Sequence, residues 1–559
     1  MKNIFKAILA VACAATLAAS CIQETMPQSG FATKDQVIRA PGAYNLFVSA
    51  LTSTMAGKFV YGGSNNYPYD FGYPAFFLMR DVMGQDLVYP YQNWYSNWYA
   101  CGAGLGPGYA AAQLPWTYYY KWIKSCNEVI GLAGEEPGEE TIAGAGQAYA
   151  MRAMFYMDLA RMFANKPYTA DKSAETVPYV DEKIKLEELS NNPRATNEVM
   201  WGNIIADLDK AEAYLAGYKR PDKYVVDLSV VYGLKARAYL EMGDWENAKN
   251  YAKKAQSGYR MMTAEEYTDK DKGFNTPNDS WMFAVQFKAD DPAILNNDAD
   301  SSWGSMMVME ISPLKGESQC GYAANYGQPF LIDKHLYETI PATDIRKNCF
   351  LDFAIDEMED GPERDKALET YTTHPEYFPI ETRISNYDGW GGTNFKFRPN
   401  GGDEGRKNQY IGFLMSVPLM RVEEMILIEA EAAGRLNEAD GKALLTAFAQ
   451  QRDPSFEYGK HNEAYYNSAT SAFVNEVWWQ RRIEFWGEGL ATFDIKRLQK
   501  GIIRSYPQTN HPETYRWNVD HTPDWMNLCI VQTEGNYNKA ATNNPAPIPP
   551  QSDSPEFVF

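Results

Sequence analysis

A chain of 559 residues with 45% hydrophobic side chains is folded, not disordered, and is long enough to bury a large core and to hold more than one domain. Its net charge of -20 opposes nucleic acids and other polyanions and favours neutral ligands.

Residues 1–20 read as a secretory signal. Lys2 and Lys6 form a basic start, Ile4 to Ala19 are mostly apolar, and small residues precede Cys21. The apolar stretch is too short to span a bilayer comfortably. Leu17-Ala18-Ala19-Ser20-Cys21 resembles a bacterial lipobox, although Leu17 lies one position further from the cysteine than usual. Cys21 is then the lipidated first residue of the mature chain, and residues 21–30 are a polar tether. No later segment is long and apolar enough to cross a membrane, so the lipid is the expected anchor.

The densest aromatic run is Tyr89 to Tyr99 (YPYQNWYSNWY), whose rings fall on all sides of any helix and so predict a loop. The C–H face of a sugar ring packs on the negative face of an aromatic ring, while hydroxyls seek amides and carboxylates. Tyr91, Trp94, Tyr95 and Trp98, with Asn93 and Asn97, supply both halves. The competing reading is that these rings fill the core beneath a long loop. Gly102, Gly104, Gly106 and Gly108 lack the spacing and the Lys-Ser or Lys-Thr of a phosphate loop, and read as a turn.

Helical patterns follow. Trp116 to Ile130 and Tyr149 to Phe163 are rich in aromatic residues and alanine, and Ala148, Ala150, Ala153 and Ala160 would let helices approach closely. Asn197 to Leu215 places Val199, Ile204, Leu208 and Ala211 on one face. Ser229 to Met242 follows, and Gly243-Asp244-Trp245 stops one helix and starts another. Helix, short glycine turn and helix is the unit of tetratricopeptide arrays, about 34 residues each.

From Asn275 to Tyr410 the chain has few helical runs and one strand-like piece, Ser280 to Phe287, in which Trp281 reads as core. Structureless stretches this long in a compact protein are usually functional. Asp290 to Asp300 could bind calcium through its oxygens, but it lacks the glycine and terminal glutamate of an EF-hand loop; a solvated loop is expected, and no cofactor.

Two C-terminal stretches carry charge inside an apolar helical pattern. Val417 to Arg435 predicts a helix opened by Pro418 and stopped at Gly434, with a stripe of Val422, Ile426, Ala430 and Ala433. Phe473 to Gly501 interleaves Arg481, Arg482, Glu484, Glu488, Asp494 and Arg497 with Trp478, Phe485, Trp486 and Phe493. Charges so placed are partly buried and stay ionised only by pairing, which predicts an ion-pair network locking two helices.

This pair of stretches resembles the signature regions of the SusD/RagB family, surface lipoproteins that bind nutrients for an outer-membrane transporter. Trp116 to Ile130, Tyr149 to Phe163, Tyr232 to Ala255 and the Pro-rich Asn544 to Pro555 are similar to further motifs of that family, in the same order. Two departures stand out: Ala491 replaces an arginine usual after the Glu-Gly pair, and Gln450 to Asp453 matches an Arg-rich turn loosely. The network is therefore expected to be one charge short.

The resemblance implies a mainly α fold, a tetratricopeptide-like superhelix of about four helix pairs with long loop-rich insertions and a few short strands. Residues 31–559 then form one SusD-like domain, with most repeat helices in 31–274, the insertions in 275–410, and the signature helices and tail in 411–559. It also implies an anchored protein on the extracellular face of the outer membrane, partnered by a SusC-like TonB-dependent transporter. Trp303, Tyr322, Tyr326 and Trp390 lie in insertions where the family keeps further ligand contacts. The expected ligand is an oligosaccharide or polysaccharide, captured without cleavage; the alternative is an oligopeptide, as in RagB-like members.

Catalysis finds little support. The five histidines are isolated, without an HExxH or a close pair, and no Gly-x-Ser-x-Gly elbow occurs. Glu484 and Glu488, the conspicuous candidates for a glycosidase pair, have arginine neighbours that keep both ionised and structural. After Cys13 and Cys21, five widely spaced cysteines remain, which is no disulfide framework; most are expected to be buried small hydrophobes.

Overall fold

The computed structural model describes residues 42–58, 67–90, 94–311, 321–324, 329–355, 358–359, 361–378, 390–464 and 466–559. The leader, Cys21 and its tether, Tyr91, Asn93, Cys320 and Tyr326 lie outside the described residues. The described residues up to Phe47 and those from Val48 onward fall in two units, and the scaffold, sheets and loops belong to the second.

Eight helices build the scaffold: α1 (Ala110–Ala133), α2 (Ile142–Phe163), α3 (Asn197–Tyr214), α4 (Leu228–Met242), α5 (Trp245–Ala255), α6 (Val422–Leu436), α7 (Glu438–Ala449) and α8 (Ala472–Glu484). Each packs on the next in chain order, and α5 packs directly on α6. Residues 256–421 are therefore an excursion out of a continuous helical stack. Side chains fix the helix starts: Thr196, Asp227, Asp244, Asn437 and Ser471 accept N–H groups in the first turns of α3, α4, α5, α7 and α8. Gly243, at φ 70°, turns α4 into α5. Four alanines of α2, Ala148, Ala150, Ala153 and Ala160, are buried, as close helix packing requires.

Among the described residues, four antiparallel strand pairs accompany this stack: β1 (Leu87–Val88) with β5 (Leu331–Ile332), β2 (Glu175–Pro178) with β3 (Arg194–Thr196), β4 (Trp281–Gln286) with β6 (Ser416–Arg421), and β7 (Ile502–Ile503) with β8 (Asn518–Val519). The β4–β6 pair joins the start of the excursion to its end, and Trp281 is fully buried there.

Several elements differ from the sequence reading. The stretch from Val417 opens as strand β6, and the helix begins at Val422. Pro418 pairs with Ala284, whose N–H goes to the carbonyl of Lys223, so the proline costs the ladder no donor. Gly434 does not stop α6; a Cβ on Gly441 of α7 would lie 2.4 Å from its Cα, so the two glycines set the close helix crossing. The stretch from Phe473 is two helices, α8 and Ala491–Arg497, separated by Gly487 and Gly489, both at φ 77°. In α3 the buried stripe is Met200, Ile204, Leu208 and Ala211, while Val199 is 53% exposed. Cys101, Cys126, Cys349 and Cys529 are buried and free.

The charged motifs meet at the base of the excursion. Glu484 accepts from Arg421 (3.0 Å), Arg452 (3.0 and 3.2 Å) and Arg346 (3.5 Å). Glu488 binds Arg421 and Lys396, and Glu423 binds Arg421 and Arg452. A second group ties Arg481 and Arg497 to Asp494, and Arg497 to Glu431 of α6. Arg452, from the loosely matching turn, is central and fully buried.

Ala491, where the resemblance leads one to expect an arginine, borders buried charge. A small cavity is lined by Asp81, Asp86, Arg481, Ala491 and Asp494, and Nη1 of Arg481 has no partner among the described residues. Asp81 is buried, and among the described residues its carboxylate accepts only the N–H groups of Gly489 (2.9 Å) and Ala491 (3.2 Å). Burial pushes its carboxyl up from 3.8 to about 7 against the pull of those N–H groups and of Arg80. Between these pH values Asp81 is protonated in the fold and ionised in the unfolded chain. Its contribution to stability is therefore full at acid pH and is lost as the pH rises through 7. Ala491 is half-buried at the rim, so Ala491→Arg should pair with Asp81, flatten this part of the pH profile and add about 1–2 kcal/mol above neutrality. Urea unfolding of both proteins at acid and alkaline pH measures it; equal midpoints at alkaline pH would refute the pairing.

Candidate functional site

Pairing of β1 with β5 brings the loop after Val88 beside residues 321–324 and 329–330. A row of rings results, half-buried at Tyr67, Tyr69 and Trp94 and buried at Tyr322. Tyr67 lies 4.8 Å from Trp94 and 5.3 Å from Tyr69, and Trp94 lies 5.3 Å from Tyr322, centroid to centroid. The turn holding Tyr67 and Tyr69 is closed by the Tyr67 N–H, which donates to Asp70 at 3.1 Å. Tyr322 is 8% exposed, fixed by its own N–H to Ser305 Oγ (2.9 Å) and by Asn297 Nδ2, which donates to its hydroxyl (3.3 Å).

A second layer supports the row. Trp98 packs against Tyr69 and Tyr95, and Tyr95 against Phe330. Trp98 is 2% exposed and Tyr95 1%, which corrects their reading as ligand contacts: the short helix Ser96–Ala100 turns them inward. The same helix leaves Asn97 exposed, and a Cβ on Gly104 would lie 2.3 Å from Asn97 Oδ1. That contact explains one glycine of the Gly-rich turn. Burial holds the Tyr95 hydroxyl well above its ordinary pKa and also raises that of Tyr322.

Two other rings stand apart. Trp303 is 2% exposed and packs edge-on against Phe397, so it is core, a correction with the same physical reason. Trp390 is half-buried against Tyr337, and among the described residues it makes no ring contact with the Trp94 row. Tyr67 and Tyr69 were not singled out by the sequence reading. The available signal was Tyr67-Pro68-Tyr69, the same tripeptide as Tyr89-Pro90-Tyr91.

The row offers ring faces for contact and dispersion, with Trp94 Nε1 buried and unpartnered among the described residues. Asn297 supplies a polar group at Tyr322. Among the described residues no three His, Cys, Asp or Glu side chains gather as a metal site, and no helix is long and apolar enough to cross a membrane. Glu484 and Glu488 are buried in the ion-pair network.

Fold and site together define a helical-repeat scaffold that carries a loop-built aromatic face. Residues 293–551 match the model of the SusD family, and residues 87–240 match a SusD-like model described as starch-binding and associating with the outer membrane. A SusD-like protein of Formosa agariphila is 23% identical over 424 residues, 74% of this chain and 76% of that protein. A SusD-like carbohydrate-binding protein of Bacteroides vulgatus superposes with a TM-score of 0.68 at 22% identity, covering 89% of this chain and 97% of that one. Surface glycan-binding protein A of Bacteroides thetaiotaomicron, in complex with laminarihexaose, superposes with a TM-score of 0.64 at 18% identity, covering 90% and 99%. The chain belongs to the SusD family.

Proposed function

We propose that this protein binds an uncharged oligosaccharide or polysaccharide at the Tyr67–Trp94–Tyr322 face and delivers it uncut to a SusC-like TonB-dependent transporter. Lipidation at Cys21 holds it on the extracellular face of the outer membrane, and no cofactor takes part. The observation that carries this reading is Trp94, half-buried between the rings of Tyr67 and Tyr322. A preformed face of this kind binds sugar rings without ordering loose side chains first. The family description as starch-binding and the laminarihexaose bound by a structural neighbour support a glycan over a peptide. Each ring contact is weak, and affinity for a polymer grows through repeated units.

Isothermal titration against a panel of neutral glycans and a pool of oligopeptides tests it. Saturable binding of at least one glycan, with no reducing ends released, is the expected result. Saturable peptide binding with silence across every glycan would overturn it.

A further inference from the structure

The polar turn beside Tyr322 continues the aromatic row toward another exposed ring. Asn297, Asp298 and Ala299 are three successive residues in the left-handed region, at φ 50°, 54° and 64°. L-residues avoid that region, alanine most of all here, and a run of three persists only when neighbours over-determine it. The neighbours are visible. Gln409 Nε2 donates to the Asp298 carbonyl, the Tyr410 hydroxyl donates to Asp298 Oδ1 (3.0 Å), and the Gly321 N–H donates to the buried Asp300 carboxylate (2.7 Å). Gln409 and Tyr410 open a short helix at the end of the excursion, so two separate segments clamp the turn.

The clamp points at binding, because its polar ends face outward. Asn297 and Asp298 are exposed, and Tyr410 is 39% exposed, an aromatic ring at the surface with a carboxylate fixed at its hydroxyl. The links run in order: Trp94 to Tyr322 at 5.3 Å, Tyr322 to Asn297 at 3.3 Å, then the adjoining Asp298 to Tyr410 at 3.0 Å. Rings thus alternate with hydrogen-bonding groups through successive contacts. A hydroxylated chain lying on Trp94 would meet an amide, a carboxylate and a further ring in succession, each already oriented. The carboxylate also disfavours uronic or sulfated units at this end.

We infer that Asp298 and Tyr410 form a distal subsite for the same uncharged glycan, so that the protein reads chain length as well as sugar chemistry. The inference rests on the glycan reading of the Trp94 face. Its signature is an affinity that rises with oligosaccharide length until the ligand spans from Trp94 to Tyr410.

Isothermal titration with laminari- and malto-oligosaccharides, from trisaccharide to octasaccharide, separates the two claims. The variants are Tyr410→Ala, Tyr410→Phe, which keeps the ring and releases Asp298, and Trp94→Ala. Tyr410→Ala should lower octasaccharide affinity about fivefold to tenfold while leaving trisaccharide affinity unchanged, with Tyr410→Phe between it and wild type. Should both Tyr410 variants track wild type at every length while Trp94→Ala weakens binding, the distal subsite is refuted and the Trp94 face stands. Failure of the wild type to bind either series, with silence across the rest of the neutral-glycan panel, overturns both.

Discussion

Glu484→Gln is expected to destabilise the fold by about 3–5 kcal/mol, the cost of removing one partner from a buried ion pair. The side chains around it balance: Arg346, Arg421, Arg452 and Lys396 against Asp344, Glu423, Glu484 and Glu488. Glutamine has nearly the same shape, so packing survives while one buried positive charge loses its counter-ion. Burial alone would raise the pKa of this carboxyl, but Arg452, Arg421 and Arg346 hold it well below the usual range. Its stabilisation is therefore present above the unfolded-state pKa and lost only when the pH falls far into the acid range. The effect should extend beyond α8, because the Glu484 carboxylate gathers Arg346, Arg421 and Arg452 from separate segments. Urea unfolding followed by tryptophan fluorescence measures the loss. A double-mutant cycle with Arg452→Met isolates the pair term. A cost below about 1 kcal/mol would show that the cluster is hydrated and screened, contrary to its burial.

Much of the scaffold was legible because its signals are local. Gly243 and Asp244 end one helix and cap the next, and a short-range pattern suffices to read them. Pro418 was misleading because its missing N–H suits both a first helical turn and a strand position that donates nothing. Only the long-range pairing of β6 with β4 decides between them. Gly434 likewise reads as a stop, whereas its role is to admit Gly441 of a neighbouring helix. Within the aromatic run, spacing did not separate the surface ring Trp94 from the buried Tyr95 and Trp98. That split depends on a five-residue helix, Ser96–Ala100, and on Phe330 arriving through β5. Arg452 was underrated because its partners Glu423 and Glu484 lie on separate helices.

Replacing Trp94 by alanine is expected to weaken glycan binding about 10- to 100-fold, equivalent to about 1.4–2.8 kcal/mol. Trp94 is the middle ring of the row, so its loss separates Tyr67 from Tyr322 and leaves no adjoining pair of surface rings across that gap. Interface energy concentrates in such aromatic anchors, and the neighbouring contacts mainly exclude water. Trp94→Phe should recover part of the affinity, because it restores a flat face of smaller area and lacks the indole N–H. The fold should be little disturbed, since the core beneath is built by Trp98, Tyr95 and Phe330 and not by Trp94 itself. Thermal unfolding of the variant serves as the control: a midpoint near that of wild type assigns the lost affinity to the face. Trp98→Ala should behave in the opposite way, lowering the midpoint first and binding only as a consequence, because its ring is sealed under Tyr69. Unchanged affinity in Trp94→Ala with an intact fold would remove the ring face from the binding mechanism.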